Sequence, residues 1–267
     1  MDLGRSCITL GQKGRPALLF LHGFMGCKED WLETASFFKE NYFCLLPDLP
    51  GHGAAPFSAN MDIPSLARAL VSLLDARGYE QAVVCGYSMG GRLALSCRAQ
   101  NPSLFRAMIL ESALPGIPGK KERNQRLEQD RRTARRLGEE ETADFLDSWY
   151  ALPLFKGIKE TPAYTAMIRR RLAGAPGGWA RALQVFSSGL QEDHGEWLSR
   201  PDIPVLYLVG EWDEKYRMLA EGLRNGTRSA LEVDIMASCS HNTHLMCREQ
   251  FCHRVDRFLR KYKKMLN

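Results

Sequence analysis

The chain has 267 residues, 45% hydrophobic and 25% charged, which suffices for a full core without staples. Its formal net charge of +5 is mild and forms no basic stripe or tail, which argues against nucleic acid and suits a small anionic ligand. No stretch approaches the length of a membrane span, and the opening MDLGRSCITL has no apolar core long enough for a signal peptide.

In chain order, short apolar runs alternate with helical patterns. ALLFLH (Ala17–His22) and YFCLLPD (Tyr42–Asp48) come first, then a helix around Ile63–Arg77. QAVVCG (Gln81–Gly86) runs into a helix around Gly90–Gln100, which Pro102 ends because it cannot continue one. AMILES (Ala107–Ser112) follows. Continuous apolar runs of this length fit strands covered on both faces, so the pattern predicts a mostly parallel, doubly wound sheet. The alternation then breaks, and it resumes at VLYLVG (Val205–Gly210), the weaker edge candidate ALEVDI (Ala230–Ile235) and a helix around Arg248–Lys263. Between them, KKERNQRLEQDRRTARRL is a charged helix with Glu122–Arg126 and Glu128–Arg132 pairs at i,i+4. The expected division is a core over 1–114 and 201–267, with a helical cap inserted at 115–200. A cap over the carboxyl edge of such a sheet would close a ligand pocket.

The eight cysteines include no C-x-x-C pair and no zinc-site spacing. Cys44, Cys85 and Cys97 lie in apolar runs, where a reduced thiol packs as a small hydrophobe. Free thiols in a reducing cytoplasm are the expectation.

The pentapeptide Gly86-Tyr87-Ser88-Met89-Gly90 is G-x-S-x-G between a predicted strand and a predicted helix, the setting of a nucleophile elbow. Flanking glycines remove side chains that would clash in so tight a turn, and the helix start aims amides at the serine. Three further stretches agree. LHGF ends the first long strand, so the amides of Phe24 and Met89 can face each other as an oxyanion hole, while His22 serves local backbone groups. LVGEWDEKY places Asp213 past a late strand, with Glu211 and Glu214 as competitors for an orienting acid. SCSHNTHLM places His241 after the last strand, with His244 three residues on; His253 falls on the closing helix. The order Ser88, Asp213, His241 is that of an α/β-hydrolase fold. Arg92 falls in the first turn of the elbow helix, where a cation at the positive end costs ~0.3–1 kcal/mol unless an anion offsets it.

Together FLHGFMG, PDLPGHG, GYSMGGR, VGEWDEKY and SHNTH resemble the α/β-hydrolases, and more narrowly the 2-succinyl-6-hydroxy-2,4-cyclohexadiene-1-carboxylate synthases of menaquinone biosynthesis. ERNQRLEQD, SWY and RLAGAPGGW carry the narrower likeness. The resemblance implies that Tyr87, Arg92, Arg126, Trp149 and Arg171 bind substrate, although Arg169 and Arg170 adjoin Arg171 and a one-residue slip would change the choice. It implies a lyase that takes a small polycarboxylate, eliminates pyruvate with Ser88 as base, and needs no metal or organic cofactor. Nucleic acid and a membrane span are not expected; the sequence leaves the oligomeric state open, with a monomer favoured. The rivals are a carboxylester or carbon–carbon hydrolase with Ser88 as covalent nucleophile, and a non-catalytic receptor for an anionic ligand.

Overall fold

The computed structural model describes residues 2–58, 60–225 and 230–266. Its centre is a seven-stranded sheet of β1 (Cys7–Leu10), β2 (Ala17–Leu21), β3 (Phe43–Pro47), β4 (Ala82–Tyr87), β5 (Phe105–Glu111), β6 (Val205–Gly210) and β7 (Leu231–Met236). The strands lie in the order β1-β3-β2-β4-β5-β6-β7. β1 pairs antiparallel with β3, and every other pair is parallel. β5 starts two residues before the apolar run AMILES because Phe105 pairs with Ala82 ahead of a register irregularity.

Helices α1 (Leu32–Phe38), α2 (Ile63–Asp75) and α3 (Met89–Gln100) interleave with the first strands. Between β5 and β6 come α4 (Lys120–Glu139), α5 (Thr142–Tyr150), α6 (Pro162–Leu172), α7 (Pro176–Val185) and α8 (Gly195–Ser199). Helix α9 (Glu214–Asn225) joins β6 to β7, and α10 (Thr243–Met246), α11 (Arg248–Lys261) and α12 (Lys263–Leu266) follow.

The apolar runs are continuous because both sheet faces are covered. Leu18, Phe20, Cys44, Leu46, Val83 and Cys85 pack on one face with Val255 and Phe258 of α11. Their neighbours Leu19, Leu21, Leu45 and Val84 pack on the other with Leu70 of α2 and Leu93 of α3. Period-two alternation thus feeds two cores from one strand. Helix α2 begins where the Asp62 side chain accepts the Ser65 N–H, and it buries Leu66, Leu70, Leu73 and Leu74 along one stripe. Helices α1 and α9 were not among the predicted helices. The first is only seven residues long, and the second follows an acidic turn that masks its start.

A third cluster, including Phe145, Leu146, Tyr150, Met167 and Trp179, packs the helices between β5 and β6 together, and it takes in Met25 from the loop after β2. Leu198 of α8 packs with the sheet core instead. No helix among the described residues is long and apolar enough to cross a membrane.

Candidate active site

Ser88 is the joint between β4 and α3, with φ 49° and ψ −108°, a strained backbone for a residue with a side chain. The corner closes because Gly90 lacks a side chain: a Cβ there would lie 2.2 Å from the Leu21 carbonyl oxygen. The Ser88 amide donates to the Glu111 carbonyl at 2.8 Å, tying the elbow to the end of β5.

His241 Nε2 lies 2.9 Å from Ser88 Oγ, and its Nδ1 lies 2.5 Å from Asp213 Oδ2. An ionised Asp213 can only accept, so the proton sits on Nδ1 and Nε2 is free to take the serine's. Asp213 and His241 are both buried. Glu211 and Glu214 are exposed, and Glu211 accepts the Ser238 amide. His244 is turned away from Ser88: its Nδ1 bonds Glu111 Oε2 at 2.6 Å, and its ring stacks on Trp31 at 3.9 Å. His253 is exposed on α11. His22 bridges the Gly23 carbonyl and the Leu49 amide, and burial holds its pKa low, so it stays neutral.

A cavity of about 270 Å³ opens over Ser88. Phe24 and Met89 line it, and among the described residues neither amide has a backbone partner outside the helix. Tyr87 and Trp149 line it too. The Tyr87 ring lies 5.4 Å from that of His241, and Trp149 packs edge-on to Phe24 at 5.5 Å.

Arg92 and Arg126 both reach this cavity. Arg92 is buried, and its guanidinium donates to Gln191 Oε1 at 2.9 Å and the Phe186 carbonyl at 3.0 Å, both neutral acceptors. Burial, helped by the nearby Arg126 charge, pushes its pKa down to about 10, which leaves it cationic at neutral pH. Arg126 turns away from Glu122 and donates to Asp130 Oδ1 at 2.8 Å; Asp130 also accepts the Ser187 hydroxyl. The Glu128–Arg132 pair does form, at 3.6 Å.

Arg171 departs from the expected placement. It does not line the cavity; its guanidinium grips the buried Asp30, which Arg170 also contacts at 2.9 Å. Arg169 is exposed. The reason is electrostatic: a carboxylate buried at position 30 needs a cation, and α6 turns both Arg170 and Arg171 towards it, Arg171 with two prongs.

Sequence reasoning passed over Lys215, Tyr216 and Gln191. Lys215 and Tyr216 line the cavity, and the Tyr216 ring lies 4.7 Å from that of His241. Burial and then the Arg126 charge lower the Lys215 pKa. Their signal was adjacency, because the first turn after an orienting acid must lie near the triad. Gln191 lies in a stretch with no motif. Among the described residues no group of three or more His, Cys, Asp or Glu side chains could hold a metal ion.

Residues 16–217 match the α/β hydrolase fold family. The chain is 31% identical to the 2-succinyl-6-hydroxy-2,4-cyclohexadiene-1-carboxylate synthase of Pectobacterium atrosepticum over 92% of this chain and 94% of that one. It is 32% identical to the synthase of the same name from Klebsiella pneumoniae, over 90% and 92%. The structure of MenH from S. aureus superposes with a TM-score of 0.89 at 27% identity, over 98% of this chain and 99% of that one. An esterase from Thermogutta terrifontis shares the fold with a TM-score of 0.80 at 21% identity.

Proposed function

The chain belongs to the α/β-hydrolase family and, within it, to the 2-succinyl-6-hydroxy-2,4-cyclohexadiene-1-carboxylate synthases, and from this premise we propose how its residues perform the reaction. The reaction is a lyase step of menaquinone biosynthesis. Pyruvate is eliminated from 2-succinyl-5-enolpyruvyl-6-hydroxy-3-cyclohexene-1-carboxylate, a tricarboxylate.

His241 draws the proton from Ser88, and the serine oxygen removes the ring proton beside the succinyl carbonyl. Asp213 holds the imidazole in place and stabilises its charged form. The amides of Phe24 and Met89 stabilise the negative charge that collects on the succinyl oxygen. The electron pair then moves through the ring double bond and expels the enolpyruvyl oxygen; the imidazolium returns its proton as enolpyruvate leaves and becomes pyruvate. No covalent acyl-enzyme forms. Arg92 and Arg126 grip substrate carboxylates, and Tyr87 and Trp149 pack against the ring. In this reading 1–114 and 201–267 supply the chemistry and 115–200 the lid. All eight cysteines are free thiols, which supports a cytoplasmic setting.

The observation that carries the reading is the 2.9 Å contact of His241 with Ser88 at the floor of a cavity that Arg92 and Arg126 line. The test is pyruvate release from the enolpyruvyl substrate. Ser88→Ala and His241→Ala should each lower kcat by ~100-fold or more. Near-normal release by Ser88→Ala, or an acyl group trapped on Ser88, would overturn the assignment.

A further inference from the structure

Because Arg171 is occupied by Asp30, the cations lining the cavity, among the described residues, are Arg92, Arg126 and Lys215. Their surroundings differ. Arg126 shares Asp130, whereas Arg92 meets only neutral acceptors. Lys215 has no acidic side chain within ion-pair distance among the described residues; its ammonium lies 5.6 Å from the centre of the Tyr216 ring. Tyr216 in turn packs against His241. Lys215, an exposed residue that lines the cavity, therefore stands beside the triad on the first turn of α9; the acid that acts on its charge is Asp213, which His241 already engages.

The three cations also act on one another. The Arg126 charge opposes protonation of both Arg92 and Lys215, so the two core cations converge on a void already occupied by positive charge from the cap. Two carboxylates, Asp130 and Asp213, also line the cavity, but Asp130 is engaged by Arg126 and Ser187 and Asp213 by His241, so an anion entering the space would still meet cations that attract it.

We propose that Lys215 binds a carboxylate of the substrate and is the third cation of the site, in the role that family resemblance assigned to Arg171. This rests on the tricarboxylate reading above. Each carboxylate then meets a cation from a different element: Arg92 from α3, Arg126 from α4 and Lys215 from α9. Only one of the three, Arg126, comes from the helical segment between β5 and β6. Lysine offers a point charge without a fork, so position and sign matter more than bidentate geometry.

The experiment compares wild type, Lys215→Gln and Lys215→Arg in pyruvate release. Lys215→Gln should raise KM by ~10-fold or more with a much smaller fall in kcat, and Lys215→Arg should recover most of the loss. An unchanged KM in Lys215→Gln overturns the proposal, as does a fall in kcat alone. A parallel titration with benzene-1,3,5-tricarboxylate separates this claim from the reaction itself. If wild type releases no pyruvate, the functional reading fails, and Lys215 is judged on this probe. Weaker binding by Lys215→Gln supports its role; equal affinity of the two proteins, or none in either, overturns it.

Discussion

Arg171 on α6 and Asp30 in the 3-10 turn Lys28–Trp31 after β2 form a buried, two-pronged ion pair across 141 residues of chain, at 3.1 and 2.5 Å. Arg171 also donates to the Tyr150 hydroxyl at 3.4 Å. The pair fastens α6 to the segment that follows β2. Removing Arg171 takes away both prongs and leaves Asp30 buried with only Arg170 as a cation, so Arg171→Met should destabilise by ~2–4 kcal/mol in urea unfolding, below the full cost of an unpaired buried charge. Adding Asp30→Asn to it should recover much of that loss, since no orphan carboxylate then remains. A rise in KM without a loss of stability would instead place Arg171 on the substrate.

The same pair makes a prediction about acid. Burial alone would raise the Asp30 pKa, but Arg171 and Arg170 outweigh it and hold the carboxyl down to about 2, against an ordinary 3.8. A depressed folded-state pKa gives stability that is complete above the unfolded value and disappears as pH falls through the folded one. The stability gap between wild type and Asp30→Asn should therefore be constant above pH ~4 and shrink between ~4 and ~2. A gap that stays constant down to pH ~2 would show that Asp30 is not held ionised.

Glu111 links the nucleophile to the histidine. Its carbonyl takes the Ser88 amide, while its carboxylate takes the Thr243 hydroxyl at 2.7 Å, the His244 amide at 3.0 Å and His244 Nδ1 at 2.6 Å. Thr243 and His244 lie two and three residues after His241, so the carboxylate pins the segment that presents the imidazole. Glu111→Ala should lower kcat by ~100-fold with little change in KM, because small misplacement of a catalytic group is costly. Glu111→Gln keeps one accepting oxygen and should fall between. Equal kcat in all three proteins would show that the loop is held by other contacts.

Gly90 and Gly222 offer a matched pair. A Cβ at Gly90 meets the Leu21 and His22 carbonyl oxygens at 2.2 and 2.6 Å, and neither can move without bending β2. Gly90→Ala should cost ~1–3 kcal/mol and distort the elbow enough to depress kcat. At Gly222, on α9, nothing lies within 4 Å of a built Cβ, so Gly222→Ala should stabilise by ~0.5–1 kcal/mol. Melting curves of the two variants should move in opposite directions.

The parts legible in the chain are those that neighbours in sequence impose. The apolar runs announce strands covered on both faces, because period-two alternation must be apolar on both sides when two cores share one sheet. G-x-S-x-G between a strand and a helix announces the elbow, since only small flanks tolerate that turn. The order of Ser88, Asp213 and His241 places three polar residues at the carboxyl ends of strands, and folding brings their side chains within 2.9 Å and 2.5 Å of each other. What tertiary structure alone decided is the partner of each arginine. Arg171 turns to Asp30, Arg92 to Gln191 at a separation of 99 residues, and Arg126 to Asp130 in preference to Glu122. A guanidinium has a long reach, so its sequence position leaves open whether the charge faces a ligand or an acid buried elsewhere. That choice follows from which carboxylates the packed core has removed from water, a property of the assembled molecule and of no segment taken singly.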